Sequence, residues 1–391
     1  MIIFATKLNR DRQMKNSIGI IIISILVLSG CNKQSMSDSL LNEVEKVIAV
    51  NPDSASNLLK SISSPEKLDD KTFARWCMLS GKITDEIFNS ILPTYQLERA
   101  YEWYSSHGSP DEQVQILIYL GRSFFADGDY DKAMSIYTNA LDIAEKNKLN
   151  NLTGYTYSYI GDLYGEKFMR TEAIKRYKAA AECFKKENNT DSYACALRDV
   201  GREYACIDSL SRALKILTIA DSVARNTKNI EVTASIDNAL GNIYAMQNKY
   251  DKAEEYFLKA LVGRETMPDY MALIDLYIAS GAINKAKELL SKIPQDNPKY
   301  TYSIKYLYYQ IYNEEKNYKE ALTNLKEYIE ITDSIIYADN QSKILNIESK
   351  YNHLKISKEI DRLKIKQQSY IRVLAICIGI LLLIIIGYLL D

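Results

Sequence analysis

The chain has 391 residues, of which 47% are hydrophobic and 25% are charged, an ordinary composition for a folded protein. Its formal net charge is −1, and the absence of a basic excess argues against nucleic acid as a partner. Only two histidines are present, far apart in sequence, which argues against a histidine-based metal site.

Residues 1–30 have the organisation of a lipoprotein-type signal peptide. Basic residues precede an apolar run from Ile18 to Leu28, which suits a signal peptide and is short for a membrane span. The run leads to Ser29-Gly30-Cys31 and resembles a bacterial lipobox, in which the cysteine is lipidated. We therefore expect Cys31 to be the lipidation site. The alternative is a chance cysteine beside an ordinary export signal.

Residues 31–110 contain weaker helical patterns. Apolar and small residues from Trp76 to Ile83 have the spacing of a first helix. Its partner would run from Leu97 to His107, across a connection that holds Pro93. These patterns predict one or two degenerate N-terminal repeats, because the end units of a repeat array are often atypical.

Residues 114–332 contain the strongest pattern in the chain, a period of 40 residues. The glycines that mark it are Gly121, Gly161, Gly201 and Gly241. Each is followed by an aromatic residue at offset 3, alanine at offset 12, an aromatic residue or leucine at offset 16, and alanine at offset 19. Offsets 0 and 3 share one face of a helix, as do offsets 12, 16 and 19. The pattern therefore predicts pairs of antiparallel helices with small residues where the backbones approach.

This combination of positions resembles the tetratricopeptide repeat, whose usual period is about 34 residues. The 40-residue spacing resembles an extended form with longer helices. Further units follow in register near Ile274 and Tyr309, at steps of 33 and 35 residues. We predict an all-α solenoid of about six helical hairpins, because four motif matches in one phase are a strong signal for a repeat array.

Residues 333–370 lack proline and glycine and predict one long helix. Ile344, Ile347, Tyr351 and Leu354 are spaced by 3, 4 and 3 residues, which is typical of a coiled coil. A homodimer through this helix is one interpretation, and a helix that caps the last repeat is the other. Residues 371–390 follow as a predicted transmembrane helix, since eighteen uncharged residues begin at Val373. A buried core helix is the alternative for this segment.

The order of these segments resembles the sensor half of bacterial membrane-bound tetratricopeptide regulators. That resemblance implies a periplasmic body held at the membrane, and a cytoplasmic DNA-binding or kinase effector after the span. The sequence ends at Asp391, so neither effector activity is carried over to this chain. Lys and Arg before the span would favour the cytoplasmic side, but the export signal favours the periplasm, and we give the signal more weight.

The resemblance also implies a binding groove lined by the first helix of each repeat. The residues that we predict to bind a ligand there are Arg122, Arg198, Arg202, Asn238 and Asn242. Arginine binds carboxylates through two parallel hydrogen bonds, and asparagine side chains can pair with a peptide backbone. The alternative is an ordinary solvated polar face.

The sequence thus favours a protein or peptide ligand in the cell envelope. It lacks the Gly-x-Ser-x-Gly, Gly-x-x-x-x-Gly-Lys and Gly-x-Gly-x-x-Gly motifs, so we expect no enzymatic activity, no cofactor and no metal. The sensory part of a signalling regulator is the first hypothesis. An envelope scaffold or assembly lipoprotein without a signalling role is the second.

Overall fold

The computed structural model describes residues 36–87, 91–294, 300–337, 341, 362–363 and 365–372. Within these ranges the regular structure is entirely helical, without any strand. The chain divides into two units, Met1–Asn324 and Leu325–Asp391. In the second unit every described residue is helical, and the apolar side chains of Ile335, Ile336 and Ile365 are exposed.

The first unit is a helical repeat solenoid, as the sequence predicts. Its helices are α1 (36–47), α2 (Pro52–Lys60), α3 (Asp70–Ile87), α4 (Thr94–His107), α5 (Pro110–Ala126), α6 (Tyr130–Lys146), α7 (Asn150–Glu166), α8 (Arg170–Lys186), α9 (Thr190–Cys206), α10 (Leu210–Ala224), α11 (Ile230–Met246), α12 (Tyr250–Gly263), α13 (Met267–Ala279), α14 (Ile283–Lys292) and α15 (Thr301–Glu314). A sixteenth helix, α16 (318–337), begins in the first unit and extends past Asn324.

The period of 40 residues arises from two half-repeats of equal length. Helices α5 to α9 and α11 each contain 17 residues, and three residues separate most of them from the next helix. The middle residue of each such turn has a positive φ between 55° and 77°. These residues are Gly128, Lys148, Phe168, Asn188, Asp208 and Asn248. Helices α13, α14 and α15 are shorter, with 13, 10 and 14 residues, which matches the shorter steps seen in the sequence.

A common hydrogen bond closes these turns. The amide that follows the left-handed residue donates to the carbonyl oxygen five residues earlier, as from Met169 to Tyr164 at 2.8 Å and from Leu149 to Ala144 at 2.9 Å. This is the Schellman arrangement, which satisfies carbonyl groups at the end of a helix. Because the same turn joins helices within and between hairpins, the chain reverses every 20 residues.

The small residues of the repeat lie where helices touch, which confirms the predicted packing register. The alanines at offsets 12 and 19 are fully buried in all four central repeats. Each glycine lies against the residue sixteen positions later. The pairs are Gly121–Tyr137, Gly161–Tyr177, Gly201–Leu217 and Gly241–Phe257. The glycine of the first helix thus provides the space that the large side chain of the second helix fills.

First helices of successive repeats also approach one another. Helix α3 packs on α5, α5 on α7, α9 on α11, α11 on α13, and α13 on α15. Hydrogen bonds between residues 37 or 38 positions apart connect them, such as Tyr155 with Ser192 at 2.9 Å and Asn229 with Asp191 at 2.8 Å. Helix α8 differs from the other second helices, because it packs about as extensively on α9 as on α7.

Several sequence predictions fall outside the described residues. The signal segment 1–30 and Cys31 are among them, as are most of the predicted long helix 333–370 and residues 373–390 of the predicted span. Among the residues that the structure does describe, no helix has the length and apolar character needed to cross a membrane. The predicted homodimer through residues 333–370 likewise stays a prediction.

Candidate binding face on the first helices

The candidate binding site is a surface formed by the first helix of each repeat. We call the surface formed by the outward positions of α3, α5, α7, α9 and α11 the first-helix face. On α5 this face includes Gln115, Ile118, Tyr119 and Arg122, and on α7 it includes the residues 40 positions later, Tyr155, Ser158, Tyr159 and Asp162. This face carries all five residues that the sequence predicts as ligand contacts.

A cavity of about 360 Å³ opens at the N-terminal end of the first-helix face. Such a volume lies within the usual range for small-ligand sites, roughly 300–1,000 Å³. It is lined by Ile48, Ala49, Lys82, Asp85, Gln115, Ile118, Tyr119, Leu152, Tyr155 and Tyr159. The walls are mostly apolar or aromatic and come from three first helices together with the segment between α1 and α2. We call this space the N-terminal cavity.

Asp85 forms the polar centre of the cavity wall. The hydroxyl of Tyr119 donates to Asp85 Oδ2 at 3.1 Å, and Arg122 pairs with Asp85 Oδ1. The guanidinium group of Arg122 also lies 5.4 Å from the centre of the Tyr159 ring, a cation–π distance. Burial raises the pKa of Tyr119 and of Tyr159, so both phenols stay protonated at neutral pH. Arg122 therefore already has partners within the protein, namely the Asp85 carboxylate and the Tyr159 ring.

Arg198 also has its hydrogen-bond partners within the protein. Its Nε and Nη2 donate to the two carboxylate oxygens of Asp199 at 3.0 Å and 3.1 Å. Its Nη1 donates to Ser235 Oγ at 3.0 Å, which connects α9 to α11. A guanidinium group with these partners has few donors left for a ligand, because it carries five N–H groups in total. The structure thus gives Arg198 a role between repeats that the sequence alone did not indicate.

Asn238 and Asn242 lie together one turn apart on α11. Asn242 Nδ2 donates to Asn238 Oδ1 at 3.0 Å, and Asn238 Nδ2 donates to Asp269 Oδ1 at 2.8 Å. The fully buried Asp269 also accepts two hydrogen bonds from Arg264, at 3.0 Å and 3.1 Å, and one from Thr266. Asn238 thereby joins α11 to the start of α13, whereas Asn242 is exposed on the face.

The buried network around Asp269 was missed by the sequence analysis, although a signal was present. Thr266 precedes α13 and Asp269 is its third residue, which is the spacing of a capping pair at a helix N-terminus. Its connection to Asn238 could not be anticipated, because the two residues are 31 positions apart.

Arg202 is the most open of the predicted arginines. Its side chain is 66% exposed, and its nearest carboxylate oxygen is Asp199 Oδ1 at 3.8 Å. The structure therefore brings Arg198, Arg202 and Asp199 together on α9, but leaves only Arg202 largely available to a ligand. Arg122 lies apart from this group and borders the N-terminal cavity through Asp85.

Asp162 adds a titratable group to the middle of the face. The residue is partly exposed, but its carboxylate lies in a part-buried setting, where Tyr177 donates to Asp162 Oδ1 at 2.6 Å. Reduced hydration raises the pKa of Asp162 to about 6, and the nearby charge of Asp199 acts in the same direction. The hydrogen bond from Tyr177 and the charges of Arg198 and Arg202 oppose that increase. Asp162 was not among the predicted ligand contacts, although it occupies the same repeat position as Arg202.

Comparisons with known proteins agree with the repeat fold. Two family models, both described as tetratricopeptide repeat, match residues 112–186 and 233–267. The chain therefore contains tetratricopeptide repeats, as its 40-residue pattern predicted. A comparison with curated protein sequences finds no match.

Solved structures resemble this chain over most of its length at low sequence identity. A Rap protein complexed with competence and sporulation factor is 18% identical, with a TM-score of 0.58 over 78% of this chain and 88% of that one. The apo form of RapI is 14% identical, with a TM-score of 0.52 over 65% and 94%. Aspartyl phosphate phosphatase F from Bacillus subtilis is 15% identical, with a TM-score of 0.52 over 75% and 79%. These similarities concern the fold.

Proposed function

We propose that this chain binds a peptide or an extended protein segment along the first-helix face. The N-terminal cavity is the observation that carries the proposal, because it combines a ligand-sized volume with apolar walls and a few polar groups. The exposed Arg202 and Asn242 extend the same face beyond the cavity. In this proposal the chain is a binding protein and has no enzymatic activity.

The similarity to the Rap structure supports this proposal. That structure contains the protein together with competence and sporulation factor, so a related helical array accommodates a bound factor in that case. Tetratricopeptide arrays create extended surfaces by stacking helix pairs, which suits ligands without a globular shape.

We further propose that the array is the interaction part of a membrane-tethered signalling regulator in the cell envelope. The support is the sequence, namely the signal-like residues 1–30, the lipobox-like Cys31 and the apolar segment 371–390. Such a protein would present the first-helix face to ligands outside the cytoplasm. Binding would then be communicated through residues 333–370, for which the sequence predicts one long helix.

A peptide pool tests the binding proposal. The purified full-length chain would be mixed with a random decapeptide pool carrying free amino and carboxyl termini, and the retained peptides identified by mass spectrometry. We expect enrichment of a defined subset, with loss of most retention in an Arg202→Glu/Asn242→Asp variant that reverses charge on the open part of the face. A chain that retains no peptides would contradict the proposal, and a variant that retains the same set would exclude the part of the face around Arg202 and Asn242 as a contact.

A reporter fusion tests the location. A reporter that is active only outside the cytoplasm would be fused after Tyr337, and a Cys31→Ser variant would be tested for incorporation of labelled lipid. We expect an active reporter and loss of lipid labelling in the variant. An inactive reporter, with activity from a cytoplasmic reporter at the same position, would show that the array is not exported.

A further inference from the structure

We infer that the N-terminal cavity holds the C-terminal residue of a peptide, with its apolar side chain in the cavity and its carboxylate on Lys82. This inference rests on the proposed peptide-binding function and specifies the chemistry of one end of the ligand. It places the contact at α3, α5 and α7, away from the arginines of α9.

The walls of the cavity determine what kind of side chain it can hold. Leu152 and Ile118 provide aliphatic surface, and Tyr155 and Tyr159 provide aromatic rings on the α7 side. Removing apolar surface from water on such walls favours binding of an apolar side chain. A charged or strongly polar side chain would lose hydration there without enough partners to replace it.

Charge distinguishes a carboxylate from an ammonium group. Asp85 is the one acidic residue among the described residues of the lining, and it already accepts from Tyr119 and pairs with Arg122. Lys82 is half-buried in the lining, and it makes no hydrogen bond or ion pair with any residue that the structure describes. Its charge contributes to a lowered pKa of Glu45, for which the hydrogen bond from Arg75 is the main cause. The cavity therefore has an available cation and an occupied anion, so it favours a carboxylate.

The position of the cavity favours the end of a chain over its middle. Ile48 and Ala49 lie in the segment between α1 and α2 and form the wall on the N-terminal side of the array. A peptide that crosses the first-helix face from α11 towards α5 would meet this wall in the cavity. The negatively charged C-terminus would then lie near Lys82, and an acidic side chain within the peptide is the competing source of the carboxylate.

The test compares peptides and protein variants in one binding assay. Peptides retained from the decapeptide pool would be synthesised with a free or an amidated C-terminus, and their affinities for the full-length chain measured by fluorescence anisotropy. The protein variants are Lys82→Gln, which removes the cation, and Ala49→Trp, which fills the cavity from its exposed edge. Val50→Trp is the matched control, because Val50 is 85% exposed and does not line the cavity. Melting temperatures would confirm that each variant is folded.

We expect amidation and Lys82→Gln each to weaken binding by about tenfold or more, as for loss of a charged hydrogen bond. Combining the two changes should weaken binding little further. Ala49→Trp should abolish binding, and Val50→Trp should leave it unchanged.

Three results would overturn the inference. Equal affinity of amidated and free peptides, with loss on replacing an internal acidic residue, would assign the carboxylate to a side chain. Equal effects of Ala49→Trp and Val50→Trp would place the ligand elsewhere. Displacement of the peptide by decanoate, without any dependence of peptide affinity on the C-terminus, would assign the cavity to a lipid carboxylate. Failure of every peptide to bind would instead contradict the proposed function itself.

Discussion

Gly161 on α7 lies so close to the ring of Tyr177 on α8 that no other residue fits without displacing it. A Cβ atom at position 161 would lie 2.7 Å from Tyr177 Cε1 and 2.9 Å from Cδ1. The ring is held from its far end by the hydrogen bond from its hydroxyl to Asp162. This contact explains why the small and the large residue recur sixteen positions apart.

Gly161→Ala should therefore destabilise the protein. Overpacking of this kind costs about 1–3 kcal/mol, which exceeds the gain of about 1 kcal/mol from replacing glycine in a helix. Gly165→Ala on the same helix is the matched control, because its nearest neighbour would be Glu203 Oε1 at an ordinary 3.4 Å. We expect that control to be as stable as the original chain or more stable. Urea denaturation would measure both, and a Gly161→Ala variant as stable as Gly165→Ala would show that the helices can separate.

Phe168 is the residue whose replacement should stabilise the chain. It has a positive φ of 57° in the turn between α7 and α8, and its side chain is 80% exposed. The left-handed conformation costs a non-glycine residue roughly 1–2 kcal/mol, so Phe168→Gly should gain about 0.5–1 kcal/mol after loss of its contact with Arg170. Asn188→Gly, at the equivalent turn, should change stability less because asparagine tolerates this conformation. Thermal denaturation that ranks Asn188→Gly above Phe168→Gly would contradict this explanation.

The packing register could be predicted from sequence, because Gly161, Ala173, Tyr177 and Ala180 express it through their size alone. The conformation of the turns could not be predicted in the same way. Lys148 and Phe168 are not residue types that indicate a left-handed turn, although both have a positive φ. A prediction that relies on turn signals would miss them.

The repeat positions could predict that the proposed ligand contacts lie on the first helices, but they could not predict which of these side chains are already engaged within the protein. Position in the repeat places Arg198 and Arg202 on α9 equally well, yet Asp199 engages the first in a two-point ion pair and leaves the second exposed. The side chains of adjacent residues on a helix usually point in different directions, so the sequence does not indicate an ion pair between Arg198 and Asp199. The cavity is lined both by Ile48 and by residues of α7, which are about 100 positions apart, and no local sequence pattern connects them.

Asp237 should make stability depend on pH. The residue is 2% exposed, and burial raises its pKa to about 6, against the opposing charge of Arg225 and with help from Asp221. An acid with a raised pKa in the fold binds its proton more tightly when folded, so its contribution to stability falls as pH rises from about 4 to 6. The stability lost by ionising the buried carboxyl is zero below the pKa that Asp237 has in the unfolded chain, and it is complete above the pKa that Asp237 has in the folded chain.

Asp237→Asn should accordingly reduce the change in stability between pH 5 and pH 7. The free energy of unfolding of the variant, relative to that of the original chain, should be higher at pH 7 than at pH 5 by on the order of 1–2 kcal/mol. One pKa unit corresponds to about 1.4 kcal/mol. Urea denaturation of both proteins at both pH values isolates this residue from others that titrate. A variant that loses more stability at pH 7 than at pH 5 would show that the ion pair with Arg225 at 2.6 Å outweighs burial.

Alanine substitutions of Arg198 and Arg202 should have different effects, the first on stability and the second on peptide binding. Arg198→Ala removes three hydrogen bonds to Asp199 and Ser235 and leaves a half-buried carboxylate with only distant compensation, so it should cost about 1–3 kcal/mol. Arg202→Ala removes an exposed side chain and should change stability by no more than about 0.5 kcal/mol. Denaturation gives the first comparison, and retention of the decapeptide pool gives the second. If Arg202 contacts the ligand, its alanine variant retains fewer peptides at unchanged stability. Equal destabilisation by the two substitutions would mean that Arg202 also connects the helices, and unchanged retention would limit the ligand to the region around the N-terminal cavity.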